Sequence, residues 1–178
     1  YFASLDEEQH TSGPRSRGAL RALEELDLHV GDLRRAAESY GQPTIAIVSD
    51  HGFAPPAFDL DLDAALRREG LVAAGADGKP SAWRAQVWRA GATAAIVLAD
   101  PRDHDARGRV AEMLRRLQVE RSGVIDRVLT GEEAAARGGF PGAAFVVAFR
   151  PRPAEGGGSD AEAADPGGQH GYLPDHRD

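Results

Sequence analysis

The chain has 178 residues, 42% hydrophobic and 28% charged, with a formal net charge of −7 at pH 7. This length and balance suit one globular domain with its own core, and the acidic surplus argues against a nucleic-acid backbone as a stable partner. The absence of cysteine excludes a disulfide framework and thiolate metal sites, and no apolar run is long enough to span a bilayer.

The chain opens on the apolar Tyr1-Phe2-Ala3, followed by Asp6-Glu7-Glu8-Gln9-His10. An Asp and a His four residues apart share one face of a helical turn. Leu20, Leu23, Leu26, Val30, Leu33 and Ala37 recur at helical spacing and predict a helix over residues 16–39, capped by Ser16 and ended by Gly41 and Pro43. The apolar run 44–49 predicts a buried strand. It ends in Asp50-His51-Gly52, a carboxylate and an imidazole side by side with a glycine that eases a sharp turn.

A short helix is predicted over Leu62–Arg68, stopped by Gly70, and residues 72–92 read as a small excursion carrying Trp83 and Trp88 as core residues. A strand at 93–98, bounded by Asp100-Pro101, precedes a helix over 105–118 with Val110, Met113, Leu114 and Leu117 on one face. Val124–Leu129 is the next strand, Thr130-x-x-Glu133 a capping box that opens a helix, and 143–149 a final apolar strand. Residues 150–168, rich in Pro, Gly and acid, predict a flexible loop that returns the chain to Gly168-Gln169-His170-Gly171-Tyr172. The alternation of strands and helices predicts an α/β fold with a largely parallel sheet flanked by helices.

Carboxylate oxygen and imidazole nitrogen together suit Zn²⁺, with Mn²⁺ as second choice. Read singly, Asp6 is equally a helix cap, His10 a loop histidine, and Asp50 and His51 turn residues. His29, His104 and His176 lack partners at metal spacing and read as solvated surface. Asp27 reads as a partly buried helper of local packing.

Taken in order, Asp6-x-x-x-His10, Ser49-Asp50-His51-Gly52-Phe53 and Gly168-x-His170-Gly171-Tyr172 resemble the C-terminal half of an alkaline-phosphatase superfamily enzyme. The nearest likeness is to the type I phosphodiesterase/nucleotide pyrophosphatase group. Gly13-Pro14-x-Ser16, leading into a helix with Leu23, Asp27, Gly31 and Leu33, is similar to that group's pattern as well. The resemblance implies an alkaline-phosphatase-like α/β domain, incomplete here, with 1–178 as the C-terminal half of the catalytic domain. It implies two zinc ions: one held by Asp6, His10 and His170, the second by Asp50 and His51 with an Asp and a Ser or Thr nucleophile from upstream. The chain, which starts without methionine and stops soon after the last motif, is accordingly expected to be a fragment lacking its nucleophile and inactive alone.

The chemistry fits these residue types. Two dications about 3.5–4 Å apart clamp the attacking and leaving oxygens of a displacement at phosphorus, and the protein adds positioning. The implied substrates are small phosphate esters, phosphodiesters or nucleotide pyrophosphates first, cleaved through a covalent intermediate on the nucleophile. The acidic net charge does not oppose a nucleotide, because local metal charge governs such a site. Two alternatives stand beside this reading. Cofactor-independent phosphoglycerate mutase also pairs Asp-x-x-x-His with Asp-His-Gly, and a non-catalytic metal-binding α/β module would carry the same ligands.

Overall fold

The computed structural model describes residues 1–56, 60–75, 80–151 and 167–173. The chain divides into two compact units, Tyr1–Pro56 with Arg152–His170, and Ala57–Pro151 with Gly171–Asp178. His176 and most of the expected loop, residues 152–166, lie outside the described residues.

The first unit is built on two helices, α1 (Ser4–Ser12) and α2 (Arg17–Glu38). Gly13 ends α1 with φ 94°, a left-handed conformation, and its N–H donates to Gln9 O at 3.1 Å. Ser16 then caps α2, its hydroxyl accepting from Ala19 N at 3.0 Å. A Cβ on Gly18 would strike the Glu8 carboxylate, which accepts a hydrogen bond from the Ser12 hydroxyl at 2.7 Å. A small residue at 18 therefore lets the two helices approach closely.

The helix forms where its periodicity predicts, but it covers a different stripe. Ala19 and Ala22 are buried, whereas Leu20, Leu23 and Leu33 are 54%, 49% and 60% exposed. Alanines admit α1 at short range, and the bulkier leucines are turned away from it. Asp27, expected to be partly buried, is exposed.

The strand expected at 44–49 does not form: residues 42–49 join no sheet. Ile45, Ile47 and Val48 are 47%, 76% and 88% exposed. A strand needs neighbours for its N–H and C=O groups, and within this unit the described residues supply only the isolated bridge between Ala54 and Gln169.

The second unit carries α3 (Leu62–Arg68), β1 (Val72–Ala74), β2 (Pro80–Trp83), β3 (Ala85–Ala90), β4 (Thr93–Leu98), α4 (His104–Glu120), β5 (Ile125–Thr130), α5 (Gly131–Ala136) and β6 (Phe145–Phe149). β1 and β2 pair as a small antiparallel ribbon, and the main sheet has the order β3-β4-β6-β5. Every neighbouring pair in it is antiparallel, so the largely parallel sheet expected from strand–helix alternation is overturned. β4 and β5 do run the same way, joined by the crossover helix α4 as alternation implies. β6 then returns between them in the opposite sense, and β3 joins β4 through a tight turn at Gly91, φ 59°. Alternation along a chain identifies crossovers but not which strand fills the gap between them.

Of the segment 72–92, only β1 and β2 stand apart from the main sheet as a small ribbon, whereas β3 is an edge strand of the main sheet itself. Trp83 and Trp88, expected in the core, are 40% and 69% exposed. Successive residues of a strand face opposite ways: Val87 packs against the core, and Trp88, its neighbour, faces the opposite side at the sheet edge.

One face of the sheet packs against α3 and α4 through Leu62, Leu66, Leu71, Ile96, Val110, Leu114 and Val147. The other carries Ala95, Leu129, Ala134 and Val146, with Phe140 and Leu173 against them. α5 begins with the full capping box, Thr130 Oγ1 accepting from Glu133 N at 3.2 Å and Glu133 Oε2 accepting from Thr130 N at 2.7 Å. At the start of α4, Asp103 accepts from Ala106 N at 2.9 Å and receives two bonds from Arg84, at 2.6 and 2.8 Å. The Arg84 guanidinium, and then the Ala106 N–H, hold the Asp103 carboxyl down to about 2.

Two outcomes follow from this packing. Leu66→Ala removes a side chain with 0% exposure, and calorimetry or urea melts should show a loss of about 2–5 kcal/mol. Asp103→Asn keeps an N-cap but gives up the charged pair. Because the folded carboxyl is depressed, its contribution is complete above the unfolded value of about 3.9 and fades as pH falls through about 2. Thermal melts should therefore show wild type above Asp103→Asn at pH 6 and the gap closing between pH 4 and pH 2. A gap independent of pH would contradict this.

Candidate metal centre

Three segments of the first unit build the site: α1, the turn after residue 48, and the stretch 167–170. On α1 the helical repeat places Asp6 and His10 on one face, with His10 Nε2 3.9 Å from Asp6 Oδ2. His10 Nδ1 lies 3.2 Å from the Gly168 carbonyl oxygen. With Nδ1–H donating there, Nε2 is left as the free lone pair facing Asp6, the arrangement in which a histidine ligates best.

The Asp50-His51-Gly52 turn is closed differently from the expectation that glycine makes it. Gly52 has an ordinary negative φ and open space at its Cβ position. Side chains close the turn instead: Ser49 Oγ donates to His51 O at 2.7 Å, and His51 N–H donates to Asp50 Oδ1 at 3.1 Å. His51 Nε2 comes within 3.8 Å of Asp6 Oδ1 and 3.6 Å of Asp50 Oδ2.

Backbone contacts deliver the third segment. Ala54 and Gln169 exchange hydrogen bonds of 3.0 and 2.9 Å. A Cβ on Gly168 would lie 2.7 Å from Gln9 O and 2.9 Å from Phe53 Cδ1. Gly167 has φ 79°, and a Cβ there would strike the His10 carbonyl. Glycine is required at both positions, by close approach at 168 and by approach and dihedral together at 167.

His170 arrives stacked on His51, centroids 3.8 Å apart and planes 12° from parallel, with its centroid 5.1 Å from that of His10. Burial, then the neighbouring His51 and His10, push the His170 imidazole below its ordinary value, opposed by Asp6 and Asp50. Asp6, His10 and His170 each place a donor atom within 4.8 Å of the others.

All five sequence-predicted residues therefore gather in one neighbourhood, but unequally. Asp6, His10 and His170 form the donor group, and His51 reaches its edge through both Asp6 and His170. Asp50, with a side chain 72% exposed, touches His51 alone among these residues. Donors on one tetrahedral zinc stand about 3.3–3.5 Å apart, so the 3.9 Å from His10 to Asp6 needs only slight contraction. One carboxylate and two imidazoles fit zinc in number and kind, and three protein ligands leave a position open.

Two residues without an assigned role belong to this geometry. Gly167 lies next to the predicted motif, and its signal was the paired glycine. Phe53, quoted within the Asp-His-Gly motif, contacts all three imidazoles. Tyr172 is half-buried within the second unit, its phenol pushed up to about 12 by burial. His29 and His104 are exposed as expected, His29 stacking with Phe2 at 6.1 Å.

No curated protein and no solved structure matches the chain significantly. A family model does: that of type I phosphodiesterase / nucleotide pyrophosphatase, over residues 1–173. That match takes in α1, the Asp-His-Gly turn and the His170 segment, and by it the chain belongs to the type I phosphodiesterase/nucleotide pyrophosphatase family of the alkaline phosphatase superfamily.

Proposed function

We propose that this chain supplies most of the metal-holding wall of a zinc-dependent phosphodiesterase or nucleotide pyrophosphatase. The observation that carries the reading is the convergence of Asp6, His10 and His170 donors within 4.8 Å. These three hold the first zinc, and Asp50 and His51 contribute to a second, with Mn²⁺ the next choice of ion. When bound, the pair neutralises charge that grows on the phosphoryl oxygens and acidifies the attacking hydroxyl.

The chain's own residues hold these donors in place. Gly168 O fixes the His10 tautomer, the Ala54–Gln169 pair anchors His170, and Ser49 and Asp50 set the turn that presents His51. Nearby hydroxyls are engaged elsewhere: Thr11 donates to Glu7 O, Ser12 to Glu8, and Ser49 to His51 O. None of the three donates to an imidazole or to Asp6. In the proposed reading the nucleophile is a Ser or Thr from outside this chain, and the zinc-loaded chain alone turns over no substrate.

Isothermal titration of the metal-free chain with Zn²⁺ tests this. Wild type should show one tight site, His170→Ala should weaken it at least 100-fold, and Asp50→Ala should leave it nearly unchanged. Unaltered binding by His170→Ala would refute the ligand set. Turnover of a chromogenic phosphodiester by the chain alone would refute the external nucleophile.

A further inference from the structure

We propose that Phe53 is the positioning residue that holds the three imidazoles in ligating orientation; this rests on the metal-site reading above. Its ring lies 4.7 Å from His10, 5.5 Å from His51 and 5.3 Å from His170, centroid to centroid, at interplanar angles of 85°, 64° and 75°. A single ring thus stands edge-on or tilted against every histidine of the cluster, the geometry that aromatic pairs prefer.

Phe53 is half-buried and belongs to neither hydrophobic core cluster of the described residues. Its backbone leads directly into Ala54, which is tied to Gln169 by two hydrogen bonds. Its Cδ1 also lies where a Cβ on Gly168 would come within 2.9 Å, so the ring abuts the strip of backbone that accepts from His10.

The constraints on the three imidazoles are complementary. His10 is pinned through Nδ1 by the Gly168 carbonyl but can still rock about that bond. His51 and His170 stack on each other and can slide together. Contact with Phe53 removes both freedoms at once, because rocking of His10 or sliding of the stacked pair meets the same phenyl ring. Outer groups that orient metal ligands typically contribute 10- to 100-fold in affinity, and Phe53 does so by shape alone, with no polar atom.

The test uses Phe53→Ala, Phe53→Leu and Phe53→Tyr in the full chain. Two readouts are taken: Zn²⁺ affinity by chelator competition with the visible spectrum of the Co²⁺-loaded protein, and imidazole nitrogen and proton resonances of the metal-free protein. Phe53→Ala should bind Zn²⁺ about 10- to 100-fold more weakly, with an altered Co²⁺ spectrum and with His10 and His170 resonances shifted or averaged before metal is added. Phe53→Tyr, which keeps the ring, should restore both readouts. Phe53→Leu, which keeps most of the volume, should fold even if the alanine variant does not, and should still show the averaged resonances. Native resonances together with native Zn²⁺ affinity in Phe53→Leu would overturn the proposal. Failure of wild type to bind Zn²⁺ would overturn the metal-site reading instead, leaving the metal-free resonances to decide whether Phe53 orients the histidines.

Discussion

The site depends on the backbone of Gly167 and Gly168 lying directly against the last carbonyls of α1. Neither position has room for a Cβ beside Gln9 and His10. Because the strip lies so close, the Gly168 carbonyl can accept from His10, Gln169 can pair with Ala54, and His170 can reach a histidine more than one hundred residues earlier in the chain. The energetics favour the arrangement. Each glycine costs roughly 0.5–1 kcal/mol of extra backbone entropy, and three hydrogen bonds at about 0.5–1.5 kcal/mol each offset that cost. The local structure holds without a sheet to support it.

What gathers there is electrostatically unbalanced by itself. One carboxylate at the centre, Asp6, faces His10 and His51 at 3.8–3.9 Å. These separations are too long for hydrogen bonds. Neither imidazole therefore hydrogen-bonds Asp6 at these distances. His170 is held toward its neutral form by burial and by the other two histidines. This spacing is compatible with the proposed ligand set, which needs only slight contraction around an ion.

Local chemistry was legible in the sequence wherever one short stretch decides the structure. Gly70 ends α3 at its predicted bounds, Ser16 caps α2, and Thr130 with Glu133 forms the capping box that the spacing implies. The clustering of Asp6, His10, His51 and His170 was legible too, though only through the order of three motifs. Features set by distant partners were not. β6 enters between β4 and β5 in the opposite direction, and nothing in the run Phe145–Phe149 states its direction. Likewise Thr44–Ser49 has a strand's composition, but composition reports a tendency to be buried and cannot supply the neighbouring backbone that makes a ladder. Trp88 shows the same limit at one residue: alternation fixes that it opposes Val87, while the edge position of β3 fixes that it is exposed.

The same contrast explains how a site can be well formed in a unit with so little sheet. Each candidate donor is held by bonds to near neighbours or to one strip of backbone: Asp6 and His10 by a helical turn, His51 by the Ser49 and Asp50 side chains, His170 by the Ala54 bridge. None of these depends on the apolar run 44–49 forming a ladder. Short-range hydrogen bonds fix position but leave imidazole rings free to turn about χ2, and ring orientation is what a tetrahedral ion requires. Orientation must come from packing, and Phe53 is in contact with all three rings. On the proposed reading, precision at this site is divided between polar bonds that bring donors near and an apolar ring that aims them, so the residue most easily taken for filler has the widest reach over the candidate donors.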